Sequence, residues 1–216
     1  MAIKAVIFDF DGTLFSSNES GKKALQMVCE KRGFSFSEKK YDSMDGLTRE
    51  EKVKRLFPGQ WKTIWPECKK IYEEGFKKSI KPIPGAVPCM KKLVKNGVNL
   101  FIFSTKPFGL IKIALKKHRC LDYFEEVLGQ ESIIPPKPNK KGIVFLEKKH
   151  GFKPSEALMV GDTVIDENAA SAAKIRFVHV KRPRRNGGGV RKCFAKISSL
   201  KKLPLLVKRL NKQNQP

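Results

Sequence analysis

The sequence lacks the long apolar runs that mark membrane proteins. None of its hydrophobic stretches approaches the roughly 20 residues that a helix needs to cross a bilayer. Before Asp9 there is one lysine and a short apolar run, without the cleavage-like segment of a secretory signal. We therefore expect a cytoplasmic protein that has no membrane partner.

Paired cysteines are also missing. The cysteines are odd in number, stand singly and form no C-x-x-C sequence: Cys29, Cys68, Cys89, Cys120 and Cys193. This pattern argues against a disulfide scaffold and against a zinc site, and it favours reduced thiols. Cys29 and Cys89 lie among apolar residues, so we expect both in a protein core.

Acidic residues are scarce. The chain has 45 lysines and arginines against 21 aspartates and glutamates, a formal net charge of +24, and no acidic residue follows Glu167. Such a field attracts anions, so the basic region 181–209 is a candidate for binding RNA or another polyanion. Phe194 is its only aromatic residue, which does not suggest base stacking. Lysines recur through most predicted helices, and solvated surfaces explain most of the excess.

What the sequence does contain is an alternation of short apolar runs with helical patterns. The apolar runs predict strands at 5–8, 98–103, 126–128, 157–160 and 175–180. The alternation predicts an α/β fold with a doubly wound parallel sheet. Residues 17–81 carry only helical patterns, so we expect an all-helical cap there. The core would then comprise 1–16 and 82–216, a size that can bury one good hydrophobic core.

Two carboxylates follow the first strand. Asp9 and Asp11 stand one residue apart at the end of an apolar run, and Gly12 allows a turn after them. Two ionised acids this close repel each other unless a cation or a shared proton lies between them. Mg²⁺ suits such a place, because it binds one or two carboxylates together with waters and a substrate phosphate. The alternative is a plain polar turn, for which Asp-Gly is a common signal.

The later strand ends also carry polar residues. Ser104 ends the second strand, Lys137 lies in the loop after the third, and Asp162 ends the fourth, with Asp166 four residues further on. Parallel strands bring such ends to one edge of the sheet, where ligands bind. Each residue alone has an ordinary interpretation as a helix start, a rigid loop or a turn. Together, in order and each after a strand, they predict a phosphoryl-transfer site.

These residues resemble the motifs of the haloacid dehalogenase-like hydrolases, which are mostly Mg²⁺-dependent phosphatases. The motifs are Asp9 to Leu14, Ser104, Lys137 between two prolines, and Gly161 to Asp166. The spread acids of the last motif and the insert after the first are similar to the phosphoglycolate-phosphatase-like branch, which has a small helical cap. The resemblance covers nearly the whole chain.

The resemblance implies a role for each residue. Asp9 would be the nucleophile, Asp11 the general acid and base, and Lys137 a further catalytic group. Mg²⁺ would be held by the carboxylates of Asp9 and Asp162 and by the main-chain carbonyl of Asp11, with Asp166 supporting the metal. The candidates for binding phosphate or substrate are Gly12, Thr13, Ser104, Thr105 and Arg49.

The implied activity is hydrolysis of a small phosphorylated metabolite, similar to phosphoglycolate or a sugar phosphate, through an aspartyl-phosphate. A dehalogenase would lack the acid at Asp11. Two alternatives stay open: a polyanion-binding protein on the same scaffold, and a sugar-phosphate mutase. Mutases of this branch usually carry adjacent acids where this chain separates Asp162 and Asp166. A cap favours small substrates over nucleic-acid ends, and the chain could be a monomer or a homodimer.

One stretch of the cap stands out. Residues 46–51 resemble the specificity loop of related caps, in which Gly and Arg face the substrate. Arg49 is therefore a candidate for binding a carboxylate or a second phosphate. An exposed arginine at a helix start is an equally good interpretation. Ser16 stands where relatives commonly carry aspartate, which bears on the hinge of the cap.

Overall fold

The computed structural model describes residues 2–44, 47–130, 133–181 and 189–213. Gly46 of the cap loop and residues 182–188 of the basic region lie outside them. The strands in the described part are β1 (Ala5–Phe8), β2 (Phe15–Ser16), β3 (Lys81–Pro82), β4 (Asn99–Phe103), β5 (Phe124–Leu128), β6 (Ala157–Gly161), β7 (Arg176–Val180) and β8 (Ala195–Ile197). Six of them form one parallel sheet in the order β5-β4-β1-β6-β7-β8, which confirms the predicted doubly wound architecture.

The first strand lies at the centre of this sheet. All four of its residues are fully buried, which explains why the run is apolar without alternation. The chain moves from β1 to β4 and β5 on one side, then returns to β6 and continues to β7 and β8 on the other. The order of strands therefore reverses at β1, and a crevice for ligands opens at the carboxyl ends around it.

Helices cover both faces of the sheet. The helices of the described chain are α1 (Asn18–Lys31), α2 (Glu38–Asp42), α3 (Arg49–Leu56), α4 (Trp61–Ser79), α5 (Ala86–Lys95), α6 (Phe108–Lys117), α7 (Lys141–His150), α8 (Val164–Ala172) and α9 (Leu203–Lys212). Val6 and Phe8 share a core with α5, α6 and α9, whereas Ala5 and Ile7 share the other with α7 and α8. This alternation of side chains is what the period of a strand dictates.

The cap consists of α1 to α4 and is joined to the core by a short ribbon. β2 and β3 pair antiparallel, with Phe15 opposite Pro82, at the two places where the chain enters and leaves the insert. Only helices were expected in this region, so the strand at Lys81–Pro82 is a correction. The pairing holds the two crossings side by side. The domain boundaries at 17 and 81 stay a prediction.

Three further elements differ from the prediction. α1 begins at Asn18 rather than Lys22, and α8 begins at Val164 rather than Asn168. The early start of α8 has a clear cause, because Thr163 and Asp166 form a capping box at its first turn. β8 was not predicted, since Ala195–Ile197 is too short and too mixed in polarity to be recognised as a strand.

Other expectations are confirmed. Thr48 caps α3 and exchanges hydrogen bonds with Glu51, as the acids of the first turn suggest. The five cysteines all lie among the described residues as free thiols, with Cys29 and Cys89 buried in the core. Within the described ranges, no helix has both the length and the apolar character to cross a membrane.

Candidate active site

The two aspartates after β1 lie at the carboxyl edge of the sheet. The N–H of Asp9 donates to the carbonyl of Val160 at 2.9 Å, which extends the pairing of β1 with β6. Phe10 is fully buried, as predicted. Gly12 then adopts a φ of +84°, a left-handed conformation that favours glycine, and its N–H donates to the carbonyl of Phe15 at 2.8 Å. This turn directs the chain toward the cap.

The carboxylate of Asp9 belongs to a buried cluster around Lys137. Nζ of Lys137 donates to Oδ1 of Asp9 at 2.6 Å and to Oδ1 of Asp166 at 2.5 Å. The lysine side chain is 3% exposed, and those of Asp9 and Asp166 are 9% and 1% exposed. These ion pairs are therefore nearly dry, which strengthens their electrostatic interaction.

The β6–α8 junction supplies the other side of this cluster. Asp162 accepts a hydrogen bond from the hydroxyl of Thr13 at 3.2 Å. Oδ2 of Asp166 accepts from the N–H and the hydroxyl of Thr163 at 3.1 and 2.8 Å, so this carboxylate also caps α8. A side chain on Gly161 would overlap the carboxylate of Asp166, which explains the glycine at the end of β6.

Asp9, Asp162 and Asp166 form a candidate metal site. One carboxylate oxygen from each lies within 4.8 Å of the others, and all three residues are buried. Three carboxylates share the single ammonium group of Lys137, so negative charge is in excess. Oxygen donors of this kind are the ligands that Mg²⁺ prefers.

The excess of negative charge is visible in the pKa of Asp9. Burial raises this pKa, and the charge of Lys137 opposes the rise, but Asp166 and Asp162 raise it further, to about 7. Burial lowers the pKa of Lys137, yet Asp166 and Asp9 hold it well above its usual value, so the ammonium stays charged. A divalent cation among these oxygens would favour the ionised form of Asp9. The donor set therefore fits Mg²⁺.

Asp11 belongs to a second cluster, which faces the cap. Nζ of Lys106 donates to its Oδ2 at 2.9 Å and to its Oδ1 at 3.1 Å. The hydroxyl of Ser17 also donates to Oδ1, and Nη2 of Arg49 lies 3.9 Å from Oδ2. The two aspartates after β1 therefore have different cationic partners.

Lys106 and Asp11 shift each other's pKa. Burial raises the pKa of Asp11, but the charges of Lys106 and Arg49 and the hydrogen bond from Ser17 outweigh burial, so the net shift is downward. Burial and the charge of Arg49 lower the pKa of Lys106 to about 7, against the opposing effect of Asp11. Asp11 is accordingly held as a carboxylate in this arrangement.

Arg49 reaches from the first turn of α3 to Asp11. Its guanidinium carbon lies 3.9 Å from the ring centroid of Tyr72, and its Nη2 donates to the hydroxyl of Ser17 at 3.0 Å. Gly21 of α1 makes room for it, because a side chain there would collide with Nε of Arg49. Nε is buried and has no hydrogen-bond partner among the described residues. Of the two interpretations of Arg49, the arrangement favours a role at the site over an exposed helix-start residue.

A pocket of about 470 Å³ opens beside Asp11, between the core and the cap. Lys106 and Thr105 line it from the core, and Arg49 and Lys69 line it from the cap. Cationic groups therefore stand on both sides of the pocket. Its volume lies within the range of small-molecule binding sites.

The remaining candidates lie at the same edge of the sheet. β4 pairs with β1 so that Ile102 is opposite Phe8, and Ser104 consequently emerges beside the end of β1. Its hydroxyl is buried and accepts from the N–H of Lys106 at 3.3 Å. Thr105 is half-buried at the wall of the pocket. All the candidate site residues thus surround one crevice.

Comparison with known proteins gives the family. The family model of the haloacid dehalogenase-like hydrolases matches residues 6–180. The chain belongs to this family. The haloacid dehalogenase-like hydrolase resembles the phosphoglycolate phosphatase of Vibrio vulnificus (strain CMCP6), with 29% identity over 184 residues, 79% of this chain and 80% of that protein. Its identity to the phosphoglycolate phosphatase of Aliivibrio fischeri (strain ATCC 700601 / ES114) is 25% over 183 residues, 79% of this chain and 81% of that protein.

A solved structure shows the same fold. The HAD-superfamily hydrolase of subfamily IA, variant 1, from Geobacter sulfurreducens PCA superposes with a TM-score of 0.75 and 24% identity, over 95% of this chain and 96% of that one. The predicted family and the α/β fold with its helical insert are confirmed. The protein is a hydrolase of the haloacid dehalogenase-like family.

Sequence reasoning missed three members of this hydrolase's site, namely Lys106, Ser17 and Tyr72. Tyr72 was assigned to the apolar stripe of α4, and it is buried, but its hydroxyl accepts from Lys106 at 2.7 Å. A signal for Lys106 existed, because a lysine two residues after Ser104 must lie near the end of β4. A signal for Ser17 is harder to find, since a polar residue near a hinge is ordinary.

Proposed function

We propose that this hydrolase is a Mg²⁺-dependent phosphomonoesterase that forms an aspartyl-phosphate on Asp9. The observation that carries the proposal is the buried cluster of Asp9, Asp162 and Asp166 around Lys137. It lies where the strand order reverses, and Asp11 links it to a pocket under the cap. A structural role alone does not account for three buried carboxylates that share one lysine.

The reaction follows from the positions of the two aspartates. A carboxylate oxygen of Asp9 attacks phosphorus while the bond from phosphorus to the leaving oxygen breaks, and that oxygen takes a proton from Asp11. Water then gives a proton to Asp11 and attacks the phosphorus of the aspartyl-phosphate, which releases inorganic phosphate and restores Asp9. The ammonium of Lys137 and the hydroxyl of Ser104 would hold the phosphoryl oxygens.

The metal would be held by Asp9 and Asp162, by the main-chain carbonyl of Asp11 and with support from Asp166. When bound, Mg²⁺ screens the repulsion between the anionic nucleophile and the anionic phosphate. Asp166 is already fixed by Thr163, and Asp162 by Thr13, so both would present their oxygens without rearrangement.

Metal removal tests the proposal. Hydrolysis of p-nitrophenyl phosphate should fall by about 100-fold or more in excess EDTA, because the electrostatic stabilisation that the metal supplies amounts to several kcal/mol. Added Mg²⁺ should restore the rate, which controls for damage to the protein. Hydrolysis that is unchanged after complete removal of metal, as confirmed by elemental analysis, would contradict the proposal.

The substrate is proposed to be a small phosphorylated acid or sugar phosphate. The two Vibrionaceae relatives are named for phosphoglycolate, which carries a carboxylate beyond its phosphate. In this chain Arg49 and Lys69 approach the pocket from the cap. Nε of Arg49, buried without a partner among the described residues, is a donor that a second anionic group of the substrate would satisfy.

Arg49→Ala should change substrate preference more than generic ester hydrolysis. We expect kcat/KM for a phosphorylated carboxylic acid to fall by roughly 10- to 100-fold, the value of one charge-assisted contact, and that for p-nitrophenyl phosphate to change much less. Arg55→Ala, an exposed arginine on the same helix, is the matched control and should change neither. Equal losses on both esters would remove Arg49 from substrate recognition.

A further inference from the structure

Lys106 joins the core to the cap at the place where Asp11 stands. It lies between β4 and α6, its side chain is fully buried, and its Nζ donates to Asp11 of the core loop and to the hydroxyl of Tyr72 on α4. The same Nζ donates to the hydroxyl of Ser17 at 3.1 Å. One ammonium group thus contacts the turn after β1, the hinge region and the cap.

The hydrogen bonds of Lys106 are saturated. An ammonium has three N–H donors, and Asp11, Ser17 and Tyr72 provide an acceptor for each. Aromatic rings close the remaining space, with those of Phe76 and Phe10 centred 4.6 and 5.6 Å from Nζ. A lysine held by three acceptors and walled by rings cannot adopt another rotamer without leaving a buried charge unpaired.

Asp11 is fixed by these contacts but stays accessible. Its side chain is 23% exposed and lines the pocket, whereas the side chain of Lys106 is fully buried behind it. Lys106 and Ser17 occupy about three of the four acceptor positions of the carboxylate. Among the described contacts, one acceptor position on Oδ2 is left, on the side of the pocket.

We propose that Lys106 is a positioning residue that holds the Asp11 carboxylate for the second half of the reaction, in which water attacks the aspartyl-phosphate. This inference rests on the proposed function. Asp11 must accept a proton from water in that step, so its carboxylate has to stand in one place with a free acceptor position. Tyr72 ties the arrangement to the cap, so Asp11 is fixed when the cap lies over the site.

Lys106→Met, which keeps the length of the side chain and removes the charge, tests the proposal with p-nitrophenyl phosphate. Nitrophenolate leaves without a proton, so kcat/KM, which reports phosphorylation of Asp9, should change by less than about threefold. kcat should fall on the order of 100-fold, because hydrolysis of the intermediate loses its positioned base. A rapid burst of nitrophenolate, close to one per enzyme, should precede the slow steady state.

Two further variants make the test sharp. Tyr72→Phe removes a single hydrogen bond to Lys106 and should give the same split with a smaller fall in kcat, and it decides the matter if Lys106→Met does not fold. Lys112→Met, an exposed lysine on α6, should leave both constants unchanged. Proportional losses of kcat and kcat/KM without a burst, or no loss in either variant, would overturn the role of Lys106. Turnover that survives Asp9→Asn would instead overturn the proposed function.

Discussion

Asp9→Asn should reduce kcat/KM for p-nitrophenyl phosphate by at least about four orders of magnitude, as is typical when a covalent nucleophile is removed. The amide oxygen is a poor nucleophile and cannot form the mixed anhydride with phosphate. It also loses one anionic ligand of the proposed metal. Steady-state kinetics, with residual rates checked against buffer, measure the effect.

The fold should survive this substitution. Burial raises the pKa of Asp9, so its ionised form is unfavourable in the folded chain, and asparagine removes that charge without changing the shape. Lys137 keeps its ion pair with Asp166. Tm should therefore stay equal or rise, and Asp122→Asn, on an exposed position, should retain full activity. Turnover near that of the unmodified enzyme would rule out Asp9 as the nucleophile.

Lys137→Ala should lower kcat/KM by about 100-fold or more, equivalent to about 3 kcal/mol, the usual effect of removing one donor to a developing anion. Nζ of Lys137 lies within 2.6 Å of Asp9 and is the described cation closest to the nucleophile. Its removal also leaves Asp9, Asp162 and Asp166 without their shared positive partner. The measurement is steady-state hydrolysis at several Mg²⁺ concentrations, because a higher metal requirement is expected as well.

The matched control for this prediction is Lys140→Met. Lys140 is exposed and lies three residues further along the same segment, so its loss should change neither kcat/KM nor the metal requirement. If Lys137→Ala folds and retains the full kcat/KM, Lys137 has no part in the chemistry. The proposed function would then need another group to hold the phosphoryl oxygens.

Much of the core was predictable because parallel strands leave a simple signature. A buried central strand must be apolar on both faces, and Ala5–Phe8 shows this directly. Polar residues that follow several such runs converge at one edge of the sheet, which is why Asp9, Asp162 and Lys137 could be grouped from a chain that separates them widely. The resemblance then added roles that spacing alone does not assign.

The missed features depend on contacts between distant segments. Lys106 resembles any lysine at a helix start until the cap brings Tyr72 to its ammonium group. Tyr72 has the spacing of a core residue, and its hydroxyl acquires a second role only from that encounter. The strands Lys81–Pro82 and Ala195–Ile197 are too short to carry a period, and pairing with a distant partner creates them.

The cap is where sequence reasoning had least purchase. Arg49 was assigned to the site only through resemblance, and its approach to Asp11 depends on the space that Gly21 leaves on α1. No local pattern predicts that space. The charge of +24 also resists a sequence argument, because a solvated lysine and a ligand-binding lysine have the same neighbours along the chain.

The most direct test of the account locates the phosphoryl group during turnover. Enzyme mixed with substrate is quenched in acid and treated with borohydride, which reduces an acyl phosphate to an alcohol, and peptides are then sequenced by mass spectrometry. The account predicts homoserine at position 9, dependent on substrate and absent from Asp9→Asn. An active enzyme that shows unmodified aspartate at position 9, or a phosphoryl group on another side chain, would contradict it.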